Sequence, residues 1–238
     1  MITPLKRFVR ASINRLGYDV TRIPTLQPDP KCEGFDRYLA AAQKAGLDVN
    51  DWIETVLKWE PALPILTELV FPYLHDNSCV CEIGPGTGRH ARYIIPRISG
   101  GGALHLFDHS TWVQNFLRHY FAVNENVVVH DFDGWMLDMP DNSTDLVFSN
   151  GTFIELNLNT ILIYSQEFWR ICRRRAHVIF DYIDISTEEG WRFLESQPGD
   201  CFTYHCGSTI DKVFTDRGFI VVKRLQVGKS TYVVFTKE

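Results

Sequence analysis

The stretch "VCEIGPGTGRHARYI" constrains this 238-residue chain more than any other. An apolar run ending in Glu82 leads directly into Gly84, Gly86 and Gly88, and a helical pattern follows. Glycine adopts backbone conformations closed to other residues and permits close approach, so this turn either joins a strand tightly to a helix or brings bare backbone to a ligand. A glycine triplet alone does not separate the two.

The rest of the chain supplies the context. "CVCEI" reads as a buried strand, "GALHLFDHS" as a second ending at Asp108, "NVVVHDF" as a third and "TDLVFSN" as a fourth. "AHVIFDYID" reads as a fifth. Helical patterns lie between them: "RHARYII", "TWVQNFLRHYF" with Ser110 as its cap, and "NTILIYSQEFWRICRRR", whose terminal cations suit a helix C-terminus. This alternation predicts an α/β fold, a parallel sheet with helices on both faces. The end breaks the rhythm: "GFIVVKRLQVGKSTYVVFTKE" reads as two strands with a turn near Gly228, so one terminal strand runs antiparallel. Helices before Cys79, one capped by Asn50 or Asp51 and one opened by Pro61, form an N-terminal helical cover. The organisation expected is a helix and linker over 1–30, a helical cover over 31–75 and the main domain over 76–238.

In open α/β sheets ligands bind at the carboxyl ends of the strands, where strand order reverses. Asp108 lies where a carboxylate meets a ribose diol in nucleotide-binding folds. Asp131 ends the third strand and can accept from an exocyclic amine, with Phe132 as an apolar wall for a flat ring. Glu82 stands where a phosphate site would have no carboxylate, and no Gly-Lys-Ser/Thr follows the glycines. A site of this kind suits a ribose, an adenine and a positive charge without phosphates. S-adenosyl-L-methionine meets that description.

With these motifs the chain resembles the class I S-adenosylmethionine-dependent methyltransferases. "VCEIGPGTGRH", "LHLFDHS" and "VVHDFDGWMLDMPDNSTDLVFSN" carry the resemblance, together with the terminal hairpin, over roughly residues 75–238. It implies a Rossmann-like sheet of seven strands, mostly parallel, with an antiparallel terminal strand. Gly84, Gly86 and Gly88 would line the methionine part and ribose, and Glu82 would lie near the amino group. Asp108, with His109 beside it, would serve the ribose, Asp131 and Phe132 the adenine, and Ser149 and Asn150 the side of the methyl group. The Asn/Asp-Pro-Pro-Tyr/Phe signature of methyltransferases acting on DNA or glutamine amino groups is missing.

Methyl transfer to a hydroxyl needs alignment, exclusion of water and a base. His205 is the first candidate, since an imidazole of ordinary pKa is a competent base. Asp181, at the end of the fifth strand, and Glu155, past the fourth, are rivals that would orient the histidine or bind hydroxyls. Each also reads as a capping or loop residue. "PLKRFVRASINRLGYDVTRIP" and "YH…STIDKVFTDRGF" are similar to methyltransferases of bacterial glycan and glycolipid pathways. The acceptor expected is therefore a sugar or another hydroxylated small molecule. An amine or peptide nitrogen remains an alternative, as does a non-catalytic binding module.

Charge and cysteine usage bound the partners. The net charge of −5 argues against a nucleic-acid partner held through phosphates. The six cysteines are scattered, which suggests a reducing, cytoplasmic setting and no disulfide framework; the Cys201/Cys206 spacing lacks a second pair, so no metal is expected. Residues 1–30 carry five Lys/Arg against Asp19 and Asp29, a charge of +3. Residues 4–17 form a basic amphipathic pattern that either packs on its own domain or lies on an anionic membrane face.

Overall fold

The structure, a computed structural model, describes residues 35–197 and 201–238. The amphipathic pattern at residues 4–17, the linker to residue 30 and Cys32 lie outside the described residues.

Three helices precede the sheet: α1 (Phe35–Ala45), α2 (Val49–Thr55) and α3 (Ala62–Leu69). Asp48 caps α2, its carboxylate accepting from the Asn50 N–H at 2.8 Å. Neither expected cap, Asn50 or Asp51, holds that place: Asp51 lies in the first turn of α2, and Asn50 is buried and turned towards the glycine turn. Pro61 precedes α3 with φ −59°, where its missing N–H costs nothing.

The strands are β1 (Cys79–Ile83), β2 (Ala103–Phe107), β3 (Val127–Val129), β4 (Thr144–Ser149), β5 (Cys172–Asp184), β6 (Tyr204–His205), β7 (Phe219–Val227) and β8 (Ser230–Lys237). Between them lie α4 (Ala91–Ile94), α5 (Thr111–Tyr120), α6 (Leu158–Ile171), α7 (Glu188–Ser196) and α8 (Gly207–Thr215). Ser110 caps α5, accepting from the Val113 N–H at 3.4 Å. The sheet order is β3-β2-β1-β4-β5-β8-β7, with β6 paired to β5 off this path. The pairs linking β1 to β5 are parallel; β8 runs antiparallel to both β5 and β7. Strand order reverses between β1 and β4, which places a crevice at their carboxyl ends. The short β6 was not legible in the sequence.

Alternate residues feed two cores, because successive strand side chains point to opposite faces. Val178 and Phe180 of β5 join Phe168 of α6 and Phe214 of α8 on one face. Ile179 joins Leu66 of α3 and Leu117 of α5 on the other. Each such fully buried side chain contributes about 1.5–3 kcal/mol, so the sheet tips are held by rigid layers on both sides.

One expectation is corrected. α6 stops at Ile171 rather than continuing through the arginine run. The Asn142 and Ser143 N–H groups donate to the carbonyls of Arg170 and Ile171, and the Lys237 ammonium donates to those of Trp169 and Cys172. With these carbonyls served from outside the helix, Arg173, Arg174 and Arg175 are free to enter β5.

Candidate cofactor and acceptor site

The glycine turn sits at the carboxyl end of β1. Gly84, Gly86 and Gly88 have φ of +66°, +54° and +75°, conformations that side chains with a Cβ rarely adopt. The surroundings also differ. A Cβ at Gly84 would stand 1.9 Å from the Thr152 hydroxyl oxygen, and one at Gly88 would meet the Phe121 ring at 2.7 Å. Gly88 is therefore demanded by packing as well as by backbone geometry.

Glu82 is 1% exposed, and its Oε2 has no hydrogen-bond partner among the described residues. Burial pushes its pKa up to about 8, with the nearby Arg89 guanidinium pulling the other way. Arg89 is itself buried, donating to the Glu60 carbonyl at 2.5 Å and lying 3.6 Å from the Glu54 carboxylate.

At the tip of β2, the buried Asp108 accepts from the Ser110 N–H at 2.9 Å, with the Gly86 N–H close enough to favour its charged form. Burial raises its pKa and these donors oppose the rise. The more exposed His109 places Nδ1 3.9 Å from this carboxylate. Gln114 of α5 donates to the carbonyls of Asp108 (2.7 Å) and Phe132 (3.2 Å), fixing the β2 tip against the segment after β3. Phe132 is buried edge-on against Phe107. The Asp131 carboxylate points outward, 93% exposed, and is held by Arg118 at 2.7 Å.

Beyond β4, Ser149 donates to the Ile83 carbonyl at 2.9 Å and ties the tips of β4 and β1 together. Asn150 accepts from the Tyr232 hydroxyl at 2.6 Å. Both Asp181 oxygens are occupied, by the Gly151 N–H at 2.7 Å and the Ser230 hydroxyl at 2.9 Å, and burial raises its pKa. His205, in β6, places Nε2 3.0 Å from the Leu156 carbonyl and 3.2 Å from the Thr203 hydroxyl. A carbonyl only accepts, so Nε2 carries the hydrogen and Nδ1 the lone pair. Burial lowers the His205 pKa, which keeps the ring neutral at pH 7. Glu155 is exposed in the 3₁₀ turn Phe153–Glu155 between β4 and α6. No group of three or more metal-ligating side chains occurs among the described residues.

No protein-family model matches the chain, and no curated protein matches it. Solved structures do. A SAM-dependent methyltransferase from Aquifex aeolicus superposes with a TM-score of 0.58 at 20% identity, over 74% of this chain and 88% of that one. One from Thermotoga maritima gives 0.58 at 16% identity, over 85% and 99%. Geranyl diphosphate methyltransferase, solved with GPP and sinefungin, gives 0.59 at 8% identity, over 74% and 78%. The chain has the S-adenosylmethionine-dependent methyltransferase fold.

Within this methyltransferase fold, Glu82, the glycine turn, Asp108, Ser149 and Asn150 gather at the carboxyl ends of β1, β2 and β4, while Asp131 turns away. Sequence reasoning missed the polar residues that hold the site together. Gln114 read only as a helix position. Arg89 lies directly after the third glycine, but nothing in its spacing marked it as buried. His90 beside it is also buried, edge-on to Phe148, with Nε2 unpartnered among the described residues. Thr152 and Tyr232 carried no motif at all; each is set by what it touches across the sheet.

Proposed function

We propose that the chain binds S-adenosylmethionine at the tips of β1 and β2 and methylates a hydroxyl of a small molecule, with a sugar as the favoured acceptor. Glu82 carries the cofactor reading. A carboxylate buried this deeply, with one oxygen unpartnered, settles only with a proton or a cation beside it. The cofactor's amino group is such a cation. Gly84, Gly86 and Gly88 would line its methionine and ribose parts. Asp108, with His109 beside it, would accept from the ribose hydroxyls, and Phe132 would flank the adenine. Asp131 would act indirectly, its ion pair holding Arg118, which also donates to the Val129 carbonyl at 3.2 Å. Ser149 and Asn150 would border the reacting end.

Bound there, the cofactor supplies a methyl carbon activated by its sulfonium. The chain's own part is to hold the acceptor, keep water out and remove a proton. His205 Nδ1 would take the acceptor's hydroxyl proton, with Nε2–H anchored on the Leu156 carbonyl. Asp181 would be a positioning residue, holding the 150–152 segment through the Gly151 N–H. Glu155, on the segment after β4, would bind acceptor hydroxyls. Trp59, 42% exposed with the Arg89 guanidinium over its ring at 5.8 Å, would offer its remaining exposed ring surface to a sugar's C–H face. A lipid- or nucleotide-linked carrier at the cytoplasmic membrane face would suit the basic pattern of residues 4–17.

Incubation with methyl-labelled cofactor and parallel sets of hydroxylated and amine acceptors tests the chemistry. Label should enter hydroxylated acceptors as an O-methyl ether. His205→Ala should spare cofactor binding and slow turnover roughly 10²–10⁴-fold. Label on nitrogen, or an unchanged rate in His205→Ala, would overturn the acceptor and base assignments respectively.

A further inference from the structure

The arginine run has no part in the crevice above, because it lies at the other end of the strands. Thr144 pairs with Cys172 and Leu146 with His177, so one intervening residue of β4 faces four of β5. Arg173, Arg174 and Arg175 are extruded in this bulge, and Arg175 sits at φ +66°, in the left-handed region that non-glycine residues seldom occupy. Bulges re-aim side chains, and strained backbone of this kind concentrates at binding sites.

The bulge borders a cavity of about 420 Å³, walled also by His75, Asn77 and His177. That volume lies within the ~300–1,000 Å³ typical of small-molecule sites. Tyr73 stacks on His177 with ring centroids 4.0 Å apart and stiffens one wall. The one carboxylate in the lining, Asp145, is already engaged: its two oxygens accept from Arg173 at 2.7 and 2.8 Å, and one also accepts from the Cys79 N–H at 2.8 Å. Arg174 and Arg175 have no carboxylate within 4.0 Å among the described residues. Nor do they serve the end of α6, whose carbonyls are taken by Lys237 and the 142–143 backbone.

We propose that this cavity is a second binding site, for the phosphate or diphosphate group of a small molecule. Two guanidiniums without carboxylate partners present fork-shaped donors matched to phosphate oxygens. The net charge of −5 disfavours a nucleic acid as the source of that phosphate. A soluble phosphate compound and a phospholipid headgroup share the chemistry, and the test separates them.

Inorganic pyrophosphate is titrated into the full chain at 0.1 M salt and followed by calorimetry. Saturable binding with a Kd below 1 mM is expected, weakened at least tenfold in Arg174→Ala/Arg175→Gly. Glycine at 175 keeps the positive φ accessible while removing the guanidinium. Affinity for S-adenosylhomocysteine should not change. Co-sedimentation with phosphatidylcholine vesicles, with and without phosphatidylglycerol, forms the second arm; phosphatidylglycerol-dependent binding lost in the same variant would assign the headgroup as the source. If the double variant does not fold, Arg174→Glu alone should abolish pyrophosphate binding. Absence of binding in both arms, or binding that a folded variant retains, overturns the proposal.

Discussion

Burial moves the Glu82 carboxyl from an ordinary 4.5 to about 8, so the ligand-free protein at pH 7 holds a proton there. A carboxyl whose pKa rises on folding contributes stability that is fully present below 4.5 and is lost as pH climbs through 8. The ligand-free chain should therefore weaken across that window, and Glu82→Gln should flatten the slope; urea midpoints measured at several pH values check this. Asp108→Ala should weaken cofactor affinity by roughly 1–3 kcal/mol through lost charge-assisted hydrogen bonds. Unchanged affinity for S-adenosylhomocysteine would remove Asp108 from the site. Gly84→Ala should cost at least ~1–2 kcal/mol from the left-handed backbone alone, before its collision with Thr152 is counted. At this scale the acidic tips were legible because they close apolar runs. The direction of Asp131 was not, because it depends on Arg118, a residue of a different element.

Among the elements, β3 is the shortest of the strands in the main ladder and forms its edge. Besides its backbone bonds to β2, it is held through the following residue, His130. The Nε2 of His130 lies 2.9 Å from Nδ1 of His105, and its ring stacks on Phe107 at 4.2 Å. Burial lowers both histidine pKa values, that of His105 to about 4. A histidine whose pKa falls on folding contributes stability that is present above 6.5 and is lost as pH drops towards its folded value. Amide protection factors at Val127–Val129 should fall between pH 6.5 and 4 relative to those of β1, and His105→Gln should blunt the effect. Equal loss at both strands would show that the pair does not pin β3. The strand–helix alternation was readable from its periodicities. The end of α6 was not: the arginines look like helix-terminal cations, but Lys237, 65 residues on from Cys172, takes that role.

Over the whole described molecule, α2 and the segment before α3 are joined to the glycine turn and the helix after it by polar contacts. Asn50 donates to the Thr87 carbonyl at 3.0 Å and accepts from the Thr87 hydroxyl at 2.6 Å, locking α2 onto the glycine turn. Arg89 reaches the Glu60 carbonyl, and Arg92 pairs with Asp51 at 2.6 Å. Asn50→Ala leaves the buried Thr87 unpaired and should cost about 1–3 kcal/mol, with a matching loss of cofactor affinity if the turn loosens; thermal melts and titrations check both. A helical cover was legible from composition and spacing, whereas its points of attachment were not, since they pair residues 29 or more positions apart that no local spacing links. The central claim is that a cationic amine settles on the Glu82 carboxylate beside the glycine turn. Its most direct test is calorimetric titration of S-adenosylhomocysteine at pH 7 in two buffers of different ionisation enthalpy. The expected result is saturable binding with release of about one proton, the release vanishing in Glu82→Gln. No binding, or binding with the same proton release in that variant, would contradict it.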